Sequence, residues 1–359
     1  IAGVLVKIGG PKAVEKILPP SITGSIAMVI GLTLAGTALS DAAPSAAAIQ
    51  AGTGWATWVV SLVTLLAIVL FSKYLKGTWG QLPLLLGAIV GCIVAAIIYG
   101  AGGDGFNLFR SISNTELLSA SPAHTASGIL AVPAITWPKA SLAAVAAIMP
   151  IAIATIPEST AHMYQLDVYV RNVADNKGKK MKYNLVDKLW INLIGDGIGD
   201  MISGLVGGPA GTNYGENIST MAITKVFSTS VLLLAGLLAM IISFFTPIIR
   251  VIYGIPLAVI GGLEIYLFGA IAAQGIAIMI EKQVDMFSAK NIAVIASVMV
   301  IGIGGNYAFG GNIPFFGIDI PCIAGAAIFG ILLNMLLSIG DKKNKKKTGD
   351  APATEEAAG

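Results

Sequence analysis

Of the 359 residues, 55% are apolar and only 11% are charged, and the mean hydropathy is +0.83. Soluble domains carry roughly 25% charged residues, so this chain lacks the groups to coat a water-facing surface, and a soluble fold is excluded. The net charge of +3 comes largely from DKKNKKK at 341–347. That run directly follows an apolar stretch, which marks a tail at a membrane surface and not a nucleic-acid patch. Cys92 and Cys322 lie in or beside apolar runs and read as small packing residues, with no disulfide or metal framework.

The chain begins with Ile1 and not Met, and IAGVLVKIGG has the character of the last turns of a span entering a basic loop. The sequence therefore reads as N-terminally incomplete. Crossing a hydrocarbon core of about 30 Å takes roughly 20 helical residues, and spans are expected at 21–40, 56–75 and 81–100. Residues 101–140, with scattered Pro, Ser and Gly, form an ordered external excursion, and its His124 receives no role.

The next span, 141–164, contains IMPIAIATIPESTAHMYQLD. Ionisable groups inside spans are costly, so each is a functional candidate. Glu158 and His162 stand four apart on one helix face, where carboxylate and imidazole can share a proton. Pro150 and Pro157 free local carbonyls. The plain alternative is a structural hydrogen bond at the span's end; a metal site lacks a third ligand. In the span 188–206, Asp196 and Asp200 within LIGDGIGDMISGLVGG repeat the four-residue spacing, and bridging of helices is favoured over a direct proton role.

GGPAGTNYGENISTMAITKV follows at 207–226. Its apolar part, 216–225, is ten residues long and reaches only about 15 Å. The glycines and Pro209 before it oppose helix formation. Irregular backbone at membrane depth is tolerated where protein buries it or it lines a cavity, and a broken span is the usual pointer to a transporter's binding site. Glu216 opens the half-helix, where an acid stabilises the dipole and is also pre-oriented to accept N–H donors from a small heterocycle. Spans at 228–246, 256–280, 290–305 and 320–339 complete the chain, and Glu264 in the second of these has no partner named by the sequence. Counting 216–225 as a crossing puts the lysine-rich loops 7–16, 73–80, 165–188 and 281–290 on the side of the C-terminal tail, which makes that side cytoplasmic.

The 207–226 run resembles the signature of the nucleobase–ascorbate transporter family (nucleobase:cation symporter-2), in its bacterial uracil permease branch. ATIPESTAHM is similar to that family's second site, and GDG at 195–197 and LPPSITGSIAMVIGLTLAG at 18–36 resemble other stretches of the branch. The resemblance implies an all-α polytopic membrane protein with a seven-plus-seven inverted-repeat fold of core and gate domains. About ten spans would be present here, with a short strand before the half-helix. Residues 1–8 would then end a preceding span, 18–105 and 250–340 would be gate spans, and 106–140 the external loop. Residues 141–246 would be core spans holding the site, and 341–359 the cytoplasmic tail.

The activity implied is proton-coupled nucleobase uptake at the cell membrane, uracil first, with a purine, xanthine or urate permease as the alternative. A membrane-embedded enzyme is the alternative of a different class, with Glu158 and His162 its only candidate pair; no enzyme chemistry, cofactor or metal is expected, and H⁺ is the coupling ion. The partners are a small nucleobase and the lipid bilayer, not nucleic acid, with a homodimer admissible. Glu158, Tyr214, Gly215, Glu216 and Asn217 would bind substrate, and Glu158 with His162 would couple the proton. Asp196, Asp200 and Ser219 are supporting residues; Ser219 stands where the family usually has glycine, and Lys225 where it commonly has arginine.

Overall fold

Pro19 and Pro20 open the first long helix, at the one place where a missing backbone N–H costs a helix nothing. The structure, a computed structural model, describes residues 2–9, 18–77, 79–111, 130, 135–141, 144–145, 152–181, 184–209, 211, 217–218, 221 and 224–345. In chain order the helices are α1 (Ala2–Gly9), α2 (Pro20–Thr33), α3 (Ala35–Ala42), α4 (Ala46–Gln50), α5 (Gly54–Tyr74) and α6 (Pro83–Gly102). Then come α7 (Ala152–Asn176), α8 (Leu189–Leu205), α9 (Thr229–Ile242), α10 (Thr246–Gly254), α11 (Leu257–Glu281) and α12 (Ala289–Met299). A π-helical turn, Val300–Gly304, leads into α13 (Gly305–Phe309), an antiparallel hairpin of β1 (Asn312–Phe315) and β2 (Ile318–Pro321), and α14 (Cys322–Lys345).

Among the described residues, six helical stretches are long and apolar enough to cross a membrane: Pro20–Gln50, Gly54–Tyr74, Pro83–Gly102, Leu257–Ile280, Ala289–Phe309 and Cys322–Ile339. The chain is a multi-pass membrane protein. α9 is apolar and exposed on every side, as suits a helix bathed in hydrocarbon.

Two groups of helices emerge from the packing. In the larger, α11 lies against α2, α3, α5 and α6, while α12 and α14 pack on each other and on α2. Its interior holds Ile22, Ile26 and Val29 of α2, Val294 and Val298 of α12, and Ala326 and Ala327 of α14. A second cluster joins Val60, Ala95, Ala258 and Val259. Lipid is as apolar as these side chains, so close backbone approach supplies much of the cohesion. Gly24 shows this: a Cβ there would lie 2.6 Å from the Gly275 carbonyl oxygen of α11. The smaller group is α1, α7 and α8, with Val6, Leu189 and Leu193 at its centre. α7 bridges the two, because its Ile156 packs against both interiors.

Three boundaries and one element differ from expectation. The helix expected to end at 164 runs to Asn176, because Asp167 and Arg171 pair across one of its turns and sustain it beyond the apolar stretch. The span 228–246 stops at Ile242, and a separate helix, α10, follows it. The span 290–305 continues to Phe309 through the π turn. The all-α expectation is amended by the hairpin, whose Phe316 and Gly317 have φ of 49° and 80°. Two positive φ values in a two-residue turn match the right-handed twist of paired strands.

Candidate functional site

α7 carries Glu158 and His162, and α8 carries Asp196 and Asp200. His162 on α7 is buried, and its Nδ1 has no hydrogen-bond partner among the described residues; the Ser159 hydroxyl, one turn earlier, is likewise buried and unpaired. Buried polar atoms are normally satisfied, and no described residue satisfies these two. Glu158 lies on the described backbone of α7, and its side chain is outside the description.

Five residues past His162, Asp167 organises the link between the two helices. Its buried carboxylate accepts the Leu185 N–H at 3.0 Å and the Arg171 guanidinium at 2.5 and 3.4 Å. Arg171 also donates to Asn184 at 2.8 Å, and Asn184 Oδ1 accepts the Val186 N–H at 3.1 Å. The Asp167 hydrogen bond raises the Arg171 pKa above the ordinary guanidinium value. The chain entering α8 is thereby tied to α7 by charge-assisted bonds. Sequence reading passed over this network, although an Asp and an Arg at i,i+4 is its ordinary signal.

At its other end, α8 grips the glycine-rich approach. Gly207 turns the chain with a φ of 88° and presses against Thr136, whose N–H donates to the Val206 carbonyl at 3.4 Å. The Gly208 N–H donates to the Ser203 carbonyl at 2.8 Å, and the Ser203 hydroxyl to the Pro209 carbonyl at 2.7 Å. Asp200 accepts the Gly211 N–H at 2.7 Å. Asp196, one turn earlier on the same face, makes no described bond to this segment. Thr136 was missed in the sequence because nothing local marks it, and Ser203 was read only as a small residue admitting a neighbouring helix; the turn at Gly207 brings both into play.

Residues 206–209 and 211 are non-helical, whereas 217, 218, 221 and 224 are helical, and Lys225 follows with a φ of 56°. Asn217 is helical and exposed. Tyr214, Gly215, Glu216 and Ser219, with the strand expected before the half-helix, lie outside the described residues. Glu264 belongs to the larger helix group: one turn earlier, Gly261 lies against Asp41 and Ala42 of α3, and Glu264 Oε2 is buried without a described partner. Nothing described brings it to α7 or α8. Among the described residues, no three His, Cys, Asp or Glu side chains converge as metal ligands would.

The sequence matches the Xan_ur_permease family model, described as "Permease family", over residues 1–311. It is 32% identical over 347 residues to a protein of Paenibacillus larvae subsp. larvae named uracil permease, covering 95% of this chain and 74% of that protein. A Bacillus caldolyticus protein of the same name is 32% identical over 339 residues, covering 94% of this chain and 72% of that protein. The Bacillus subtilis (strain 168) uracil permease is 30% identical over 343 residues, with the same two coverages, 94% and 72%.

Proposed function

Because the chain belongs to this permease family, the nucleobase:cation symporter-2 transporters, we propose that it imports uracil in symport with protons. The observation that carries the substrate is the likeness to proteins named uracil permease along nearly the whole chain, joined to an acid at 216 in the signature run.

Uracil offers imide N–H donors flanked by carbonyls. Glu158 and Glu216 accept the N–H groups, and backbone around Tyr214 and Gly215, with Asn217, meets the carbonyls. With the site facing outward, Glu158 takes up a proton while His162 supports it. The loaded site then carries one negative charge fewer, which lowers the cost of moving it through a low-dielectric environment. His162 Nδ1, buried on α7 and without a partner among the described residues, suits a group whose hydrogen bonding alternates through a cycle.

The larger helix group is the gate, and α1, α7, α8 and the half-helix belong to the core. Alternating access is movement of core against gate, along the seam where Ile156 touches both interiors. The architecture is the seven-plus-seven inverted repeat. Residues 106–140 lie outside, the C-terminal tail is cytoplasmic, and the cell membrane is the site of action; a homodimer is an admissible assembly.

The test is uptake of radiolabelled uracil by the full-length protein in proteoliposomes. Accumulation driven by an inward proton gradient, abolished by a protonophore and not competed by xanthine or urate, is the expected result. Uptake competed by those purines above uracil would replace the substrate, and uptake indifferent to the gradient would remove the coupling.

A further inference from the structure

The hairpin of β1 and β2 joins two membrane-length helical stretches, Ala289–Phe309 and Cys322–Ile339. It therefore sits where hydrocarbon gives way to lipid headgroups, on the face opposite the one that α14 reaches at Lys345. We infer that its tip, Phe315 and Phe316, is a membrane anchor that lies in the lipid interface and fixes this edge of the larger helix group to the bilayer.

The two faces of the hairpin differ. Its register pairs Ile313 with Ile320 and Phe315 with Ile318, and it pairs Asn312 with Pro321 and Pro314 with Asp319. Opposed residues share a face and neighbours along a strand alternate, so one face is apolar throughout and the other carries Asn312 and Asp319. Packing at the base shows which way the apolar face looks. A Cβ at Gly305 of α13 would lie 2.7 Å from Ile313 Cδ1, and one at Gly325 of α14 would lie 3.3 Å from Ile320 Cγ2. The apolar face is thus turned onto the ends of the two spans, and the Cys322 N–H closes the base by donating to the Gly311 carbonyl at 2.8 Å. Beyond Ile313 the cover ends: Phe315 is 56% exposed and Phe316 91%. An apolar face that rests on two span ends and then overhangs them meets lipid next.

The turn carries a second sign. Positive φ at both positions of a two-residue turn favours Asn-Gly, Asp-Gly or Gly-Gly, yet Phe316 holds a φ of 49° before Gly317 at 80°. A bulky side chain there is an outlier, and such strain persists where the surroundings compensate for it. Among the described residues the one ring partner of Phe316 is Phe315, edge-on with centroids 4.6 Å apart, and the rest of its surface is bare. Lipid supplies the missing compensation by taking the ring out of water. Tyr307 and Phe309 of α13 are also exposed, and from Gly305 to Pro321 the only charged residue is Asp319, on the polar face. Exposed aromatic rings with little charge at the end of two spans suit the interfacial layer of a bilayer.

The experiment puts a tryptophan at the tip. Phe316→Trp in the full-length protein is reconstituted into phosphatidylcholine nanodiscs with and without bromine on the acyl chains, and wild-type emission is subtracted. The added emission should be quenched by the brominated lipid. Emission untouched by bromine would overturn the inference, and iodide then separates a tip standing in water from one covered by protein such as a second copy. Hydrogen exchange at 312–321 is compared in the same discs for wild type and Phe316→Ala, which leaves a side chain at the positive φ and removes the ring. Exchange should quicken by about tenfold; unchanged exchange would likewise overturn the inference. If Phe316→Trp does not fold, Phe315→Trp takes its place.

Discussion

Replacing Asp167 with alanine should loosen the connection between α7 and α8, the helices that carry His162 and Asp200. The carboxylate is buried and is the acceptor for the Leu185 N–H at 3.0 Å. Its removal leaves a part-buried backbone donor unpaired, which costs about 1–3 kcal/mol. Loss of the Arg171 contact adds little, because that side chain is 44% exposed and water replaces the carboxylate. For a chain of this size the sum lowers the melting temperature by roughly 1–4 °C. The assay is thermal unfolding of the full-length protein in detergent, with Asp167→Asn and Arg171→Ala as companions. Asp167→Asn keeps an oxygen for Leu185 and should lose less than half as much. Arg171→Ala leaves the Leu185 bond intact and should barely shift the transition. The Arg171 pKa is raised on folding, so its contribution is present below the unfolded value and is lost only above the folded one, beyond any working pH. Arg171 therefore adds no slope between about pH 6 and 9. Arg171→Ala as damaging as Asp167→Ala, or Asp167→Ala melting like wild type, would refute the reasoning.

Gly24→Val drives a side chain into the Gly275 carbonyl of α11 and should cost about 1–3 kcal/mol by overpacking. Gly236→Val on the exposed α9, where nothing lies within 4 Å, should be close to neutral in the same melting assay. Asn306→Leu removes the amide that donates to the Thr33 carbonyl at 3.0 Å, at the break between α2 and α3. A loss of about 1 kcal/mol is expected, and an unchanged melting temperature would show that the bond is idle. His162→Ala should flatten the pH dependence of uracil uptake while keeping Kd within about tenfold; uptake that follows pH as in wild type would remove the histidine from coupling.

Much of the fold was legible because lipid imposes a simple rule: backbone groups must be satisfied within each span, so long apolar runs become helices. The runs at 56–75 and 256–280 became α5 and α11 almost residue for residue. Legibility failed where polar residues did structural work. α7 outlasts its apolar stretch because Asp167 and Arg171 sustain it, and hydropathy has no account of such pairs. The hairpin at 312–321 was hidden by its brevity, its sign being one Phe-Gly turn between alternating apolar residues. At the candidate site, the spacing of Asp196 and Asp200 was visible, but the difference between them was not. Only the fold of the chain after Gly207 gives Asp200 a backbone N–H to hold. Glu264 was visible and unexplained, and its place beside α3 follows from a helix packing that no local pattern encodes.

Uracil binding by Glu216→Gln in the full-length protein, measured by calorimetry beside wild type, bears most directly on whether an acid after the broken backbone recognises the nucleobase. The variant keeps the size of the side chain and one oxygen but loses the charge that strengthens acceptance of an N–H. Affinity lower by about tenfold or more is the predicted result. Equal affinity in the two proteins would contradict it.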